Sequence, residues 1–187
     1  MFEIICYLGG TCGDLVVAMI DGRNATIKNG SVSTDPDRQQ LKKSWKFSND
    51  QDRNLYVDRI KQHYKSIPSH DPDYHIRNNQ PFVAITVDTK STALWASKRF
   101  KELHRTQVWK EMTAANNAGT IEKYAQDMLD WSSWIKEQTK RTIRLEDILD
   151  GRADKQISSI ITIESAGVDF YKHWLQAQNE NSNNSNP

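Results

Sequence analysis

Three glycines in five positions, inside Leu8-Gly9-Gly10-Thr11-Cys12-Gly13-Asp14-Leu15, separate two of the most apolar stretches of the chain. Phe2–Leu8 before them is continuous, aromatic and partly β-branched, the pattern of a strand buried on both faces. Asp14–Asp21 after them resumes as a short apolar helix. A buried strand that turns into a helix across glycines directs the chain toward an α/β arrangement. Glycine permits positive φ and close backbone approach, so successive N–H groups can converge on an anion. The positive end of the following helix acts at the same place. This geometry favours a phosphate, sulfate or carboxylate, and the alternative is a tight strand-to-helix turn capped by Asp14.

The rest of the 187 residues supports that class. Phe82–Val87 is the second strong strand, with Pro81 at its edge, and Arg141–Leu145 is a short third. A small hairpin is expected around Asn29-Gly30. Helices are expected after Asp35-Pro36, through Leu55, Ile60 and Tyr64, over Ser91–His104, around Val108 and Met112, and along Ile121–Ile135. Shorter helical runs follow at Glu146–Leu149, Ile157–Ile161 and Tyr171–Leu175. Ser66–Asp73, with Pro68 and Pro72, reads as a loop. The pattern predicts a small parallel sheet covered by helices, helix-rich in its C-terminal half. It forms one domain over residues 1–178, with residues 179–187 a disordered Asn/Ser-rich tail. Ligands of such sheets bind at the carboxyl ends of the strands, which points to Gly9–Asp14, Asp88–Ser91 and Ser69–Asp71.

Charge narrows the partners. Lys and Arg number 25 against 24 Asp and Glu, a formal +1, so nucleic-acid contact must come from a local patch. Lys98, Arg99, Lys101, Arg105 and Lys110 against Glu102 make such a patch, although a solvated helix face explains it equally well. Cys6 and Cys12 are too few for a disulfide framework or a four-cysteine zinc site. The apolar runs are too short to cross a membrane, and no export signal is visible, so a cytoplasmic location is expected.

The glycine loop lacks the lysine that follows the second glycine of the full phosphate-binding motif, and Asp14 stands in its place. Two like charges about 4 Å apart repel by roughly 4 kcal/mol at an effective dielectric near 20. Asp14 therefore binds a divalent cation, acts as a base toward a hydroxyl, or caps the helix. Arg99 and Arg105 could fold over phosphates and supply the missing charge, arginine's fork being suited to phosphate oxygens. In Ser69-His70-Asp71, adjacency does not make a triad, but Asp71 could accept a hydroxyl proton with His70 as a phosphate or base contact. Equally, Asp71-Pro72 could simply cap the next turn. Cys12 at a helix N-terminus is more a packing residue than a nucleophile, and the helical tryptophans read as packing residues as well.

Leu8–Val16, the Ser69-His70-Asp71 segment and Arg99–Arg105 together resemble a bacteriophage group of P-loop kinase-like proteins, the 5-hydroxymethyluracil DNA kinases of phages with hypermodified thymine. The broader fold is similar to P-loop nucleotide kinases and sulfotransferases. The resemblance spans the chain to about Gln178. It implies ATP as donor, Mg2+ as cofactor, and a hydroxymethyl group on a modified pyrimidine in DNA as acceptor, in a host cytoplasm. It also implies nucleotide phosphates held by Gly9, Gly10, Thr11, Cys12, Gly13 and Leu15 with Lys98 and Arg105. Asp14, Asp71, His70 and Arg99 would be the catalytic groups and Asp14 the metal ligand. Alternatives are a nucleotide- or nucleic-acid-binding module without catalysis, or a sulfotransferase- or glycosyltransferase-type transfer.

Overall fold

A computed structural model describes residues 2–22, 25–28, 31–42, 47–103 and 120–183. Strand β1 (Glu3–Cys6) is buried along its whole length, as its apolar content requires, and leads through the glycine turn into helix α1 (Gly13–Asp21). An antiparallel hairpin follows, β2 (Ala25–Lys28) against β3 (Ser31–Thr34), with Lys28 opposite Ser31. The expected turn at Asn29-Gly30 lies outside the described residues. Helices α2 (Pro36–Leu41) and α3 (Asp50–Ile60) come next, each opened by a side-chain cap, Asp35 on the Arg38 amide and Asn49 on the Asp52 amide. Leu55, which helps mark this helix in the sequence, is exposed, and Val57 and Ile60 do the packing.

Ser66–Ser69, expected to be loop, is a strand, β4. It pairs in parallel with β1, Glu3 opposite Ser66 and Cys6 opposite Ser69. Its Pro68 does no harm. The Glu3 and Tyr7 amides donate to the carbonyls of Lys65 and Ser69, so alternate residues of β4 face β1 and Pro68 faces the open edge. Helix α4 (Pro72–Arg77) follows, then β5 (Val83–Thr86), α5 (Lys90–Leu103), α6 (Ile121–Gln138) and β6 (Thr142–Arg144). Helices α7 (Leu145–Leu149), α8 (Ala153–Ser158) and α9 (Ser165–Asn183) complete the chain. The helix expected around Val108 and Met112 lies outside the described residues. So does the end of the Asn/Ser-rich tail, but α9 runs five residues into the segment expected to be disordered. Extending an existing helix needs no new nucleus, and Gln176 bridges to Glu180 one turn on.

The sheet has the order β4-β1-β5-β6, all parallel, with helices on both faces. On one face Ile5, Val83, Ile85 and Ile143 meet α1, α9 and the first half of α6. On the other, Ile4, Cys6, Ile67 and Ala84 meet Leu41, Val57, Ile60 and Ile135. The chain leaves β1 toward β4 and leaves β5 toward β6. Strand order therefore reverses between β1 and β5, and their carboxyl ends open a crevice at Tyr7–Gly13 and Val87–Ser91. No helix among the described residues is long and apolar enough to cross a membrane.

Candidate functional site

The turn after β1 is built by its own backbone. The Leu8 carbonyl accepts from the Thr11 amide at 3.2 Å and from the Thr11 hydroxyl at 2.7 Å. Gly10 has φ +90°, and Cys12, at φ 60°, is the residue that opens α1. The Cys12 carbonyl takes the first helical bonds from Leu15 and Val16, while the amides of Gly13 and Asp14 meet no acceptor among the described residues. The three glycines also serve close packing. A Cβ on Gly9 would strike the Phe100 ring, one on Gly10 the Ala96 carbonyl, and one on Gly13 the Tyr7 ring.

Asp14 does not cap α1, which begins one residue before it. Its carboxylate turns sideways, accepting from Thr34 Oγ1 and Gln39 Nε2, each at 3.2 Å, and pairing with Lys42 Nζ. These partners come from the end of β3 and from α2. An ammonium from 28 positions downstream thus stands against the carboxylate at the place where the full motif has its lysine. No local motif announces that pairing, and sequence reasoning missed it.

Tyr7 lies at the centre. Its ring covers Gly13, meets the His70 ring edge-on with centroids 4.7 Å apart, and has Lys42 Nζ 5.6 Å from its centroid. Burial, and then the charge of Asp14, push its hydroxyl pKa far above the usual value. The loop and the Ser69-His70-Asp71 segment, read separately in the sequence, are therefore neighbours, joined by the β1–β4 pairing.

Ser69 is buried, and its Oγ lies 2.8 Å from Nε2 of His75, whose Nδ1 lies 2.8 Å from Gln80 Oε1. Gln80 Oε1 can only accept, so Nδ1 carries the proton and the Ser69 hydroxyl donates to Nε2. Burial pushes His75 down to about 4. The unfolded chain takes up this proton near pH 6.5 and the folded chain only near 4, so acidification across that window favours unfolding. A loss of about 3 kcal/mol is expected between pH 7 and pH 4 from this residue. Urea unfolding of the wild type and of His75→Gln over that range checks it, the variant losing that much less; parallel curves would refute the assignment.

Asp71 caps α4, with Oδ1 accepting from the Tyr74 amide at 3.1 Å and Oδ2 from Arg53 Nη1 at 2.6 Å. Burial raises its pKa, but Arg53 and that amide together outweigh burial and hold it below the usual carboxylate value. Such a carboxylate is a weak base, and the capping role is the one its bonds describe. His70, by contrast, is exposed at the carboxyl end of β4.

On the other side of the loop, α5 presses Ala96 and Phe100 against Gly9 and Gly10. Arg99 is half-buried beside them, its Nη1 donating to Gln178 Oε1 at 2.9 Å and its guanidinium 5.3 Å from the Trp95 ring centroid. Its charge reaches Cys12, though burial dominates and pushes that thiol up to about 11, so it is no thiolate nucleophile at neutral pH. Lys98 is exposed, about 200° around the helix from Ala96 and from Phe100, and does not face the loop. Arg105 and Lys110 lie outside the described residues.

Magnesium on Asp14 fits poorly. Both carboxylate oxygens already accept from protein donors, one of them the Lys42 ammonium. No group of three or more His, Cys, Asp or Glu able to hold a metal occurs among the described residues. Comparison of the chain with protein-family models, with curated proteins and with solved structures finds no match.

Proposed function

We propose that this chain is a nucleotide-dependent phosphotransferase, P-loop kinase-like in its use of the β1–α1 turn, with ATP as donor. The observation that carries the reading is Lys42 brought onto Asp14 at the first turn of α1, beside the acceptor-less amides of Gly13 and Asp14. Asp14 then presents no unpaired negative charge to a phosphate, and the positive helix end can act on it. Arg99 adds a positive charge felt at Cys12, on the other side of the same turn. Magnesium arrives on the nucleotide's own phosphates rather than on Asp14.

The acceptor is a hydroxymethyl group, in keeping with the resemblance to 5-hydroxymethyluracil DNA kinases. Its oxygen attacks the γ-phosphorus, ADP departs, and the proton passes to His70, the exposed group at the neighbouring strand end. A base in duplex DNA reaches the crevice by flipping out or by being single-stranded. Lys98 and Lys101, exposed on α5, give the local patch that a nearly neutral chain needs to hold DNA.

Incubation with γ-labelled ATP and DNA containing 5-hydroxymethyluracil is expected to label the DNA, and DNA with thymine in its place is not. No transfer under any divalent metal would overturn the phosphotransferase reading. The engagement of both Asp14 and Asp71 by protein donors favours, as second reading, a nucleotide-binding module without turnover. That module would show ATP affinity in calorimetry and no label.

A further inference from the structure

We propose that Tyr7 is the positioning residue for His70, its ring holding the imidazole beside the glycine turn. The proposal rests on the phosphotransferase reading, in which His70 takes the acceptor's proton, and adds the side chain that sets where His70 stands.

The sheet itself makes the pair. Cys6 lies opposite Ser69, and the Tyr7 amide donates to the Ser69 carbonyl at 3.1 Å, so the parallel register continues past the strand ends and sets Tyr7 beside His70. Side chains alternate along a strand, and Cys6 belongs to the core on one face while Tyr7 belongs to the core that α1 covers. There the two rings meet edge to face, with centroids 4.7 Å apart and planes 83° from parallel. That is a geometry aromatic quadrupoles prefer.

Of the two, Tyr7 is the fixed one. It is 4% exposed, its ring fills the space left by the missing Cβ of Gly13, and Lys42, paired with Asp14, has its Nζ 5.6 Å from the ring centroid. His70 is exposed. An exposed imidazole samples several rotamers, and an edge-to-face contact with a fixed ring favours one of them by roughly 2- to 10-fold. The same ring touches Gly13 and His70, so the rotamer it selects is one beside the turn. A proton acceptor contributes only in the fraction of molecules where it stands within reach of the hydroxyl, so the rate follows that selection. Tyr7 needs neither contact with substrate nor exposed surface for this role, and its hydroxyl takes no part in it.

The test compares the full chain as wild type, Tyr7→Phe, Tyr7→Leu, His70→Gln and the double variant Tyr7→Leu/His70→Gln. In proton NMR the His70 ring signals, identified by their loss in His70→Gln, are expected to be displaced by the Tyr7 ring current. Tyr7→Phe keeps that displacement, and Tyr7→Leu moves the signals to the position of an unstructured histidine. With γ-labelled ATP and 5-hydroxymethyluracil DNA, Tyr7→Leu is expected to lower kcat roughly 2- to 10-fold at unchanged KM for ATP, and Tyr7→Phe to rescue it. In the His70→Gln background Tyr7→Leu is expected to cost nothing more, because its effect passes through His70. Losses that add in the double variant, or His70 signals that Tyr7→Leu leaves in place, overturn this proposal and leave the phosphotransferase reading standing. Should Tyr7→Leu fail to fold, wild-type His70 signals already at the unstructured position overturn it, and displaced ones that Tyr7→Phe retains support it. A wild type that transfers no label overturns both.

Discussion

Replacing Arg38 by methionine is expected to lower the unfolding free energy by about 3–5 kcal/mol at neutral pH, the usual cost of stranding one partner of a buried ion pair. Arg38 has no exposed surface. It pairs with Asp21 at the end of α1, donates through Nε to Asp35 Oδ2 at 2.7 Å, and stacks 4.8 Å from the Tyr64 ring centroid. Asp21 also accepts from the Lys65 amide at 2.6 Å and from the Ser66 hydroxyl at 3.0 Å, so one buried cluster ties α1, α2 and β4 together. Burial already raises the Asp21 pKa above its ordinary value despite these bonds. Without Arg38 it rises further, and the variant's Asp21 takes up a proton on folding. The deficit should therefore narrow as the pH falls through the ordinary carboxylate range, where Asp21 is neutral in the folded and unfolded chain alike. Adding Asp21→Asn should restore part of the loss at neutral pH. Urea midpoints with an unchanged slope measure both. A deficit under about 1 kcal/mol would mean the pair is not buried as described.

Arg38 also marks where sequence reading stops. It sits in Asp35-Pro36-Asp37-Arg38-Gln39-Gln40, a segment whose composition speaks for a solvated helix. What buries it is the side of α2 facing β4, and β4 was itself illegible. Ser66-Ile67-Pro68-Ser69 has one unambiguous strand former and a proline. Its serines are buried because they bond inward, Ser66 to Asp21 and the Val17 carbonyl, Ser69 to His75. Polar atoms satisfied by distant residues leave no hydrophobic periodicity to read. Strands β1 and β5 were legible for the opposite reason, since both faces of each are covered by apolar groups.

The candidate site divides along the same line. The turn at Gly9–Asp14 and its place at a strand's carboxyl end follow from local pattern. The Asp-Pro signature occurs twice, and Asp35 and Asp71 both cap a helix through it. At Asp35 the sequence points to the cap alone, whereas at Asp71 the neighbouring serine and histidine set proton transfer level with capping. Lys42 is the plainest omission. A lone lysine at the end of a polar helix carries no signal until the hairpin and α2 fold back over α1 and set it on Asp14. The local pattern favours an anion at the glycines over a tight turn alone, and what their missing Cβ atoms admit is Phe100, Ala96 and Tyr7.

That last point gives the second large effect, Gly10→Ala, expected to cost about 4 kcal/mol. Two causes add. Gly10 has φ +90°, a region costing an L-residue about 1–3 kcal/mol. Its Cβ would also overlap the Ala96 carbonyl oxygen and lie 3.1 Å from the carbonyl carbon and from Phe100 Cβ. Backbone of a packed helix has nowhere to go, because Ala93, Ala96 and Ser97 are all fully buried, and overpacking of this kind costs about 1–3 kcal/mol more. Gly22→Ala separates the two causes. Gly22 has φ +66°, but its nearest neighbour across the gap, Ala166 Cβ, would be 3.4 Å away, ordinary contact. It should show the conformational cost alone, about 1–2 kcal/mol. Comparable losses at the two positions would show that α5 does not approach the loop as closely as described. If the losses differ as expected, Gly10→Ala should also weaken ATP binding, because α5 can yield only by distorting the turn that presents the Gly13 and Asp14 amides, whereas Gly22→Ala, at the far end of α1, should leave that binding intact.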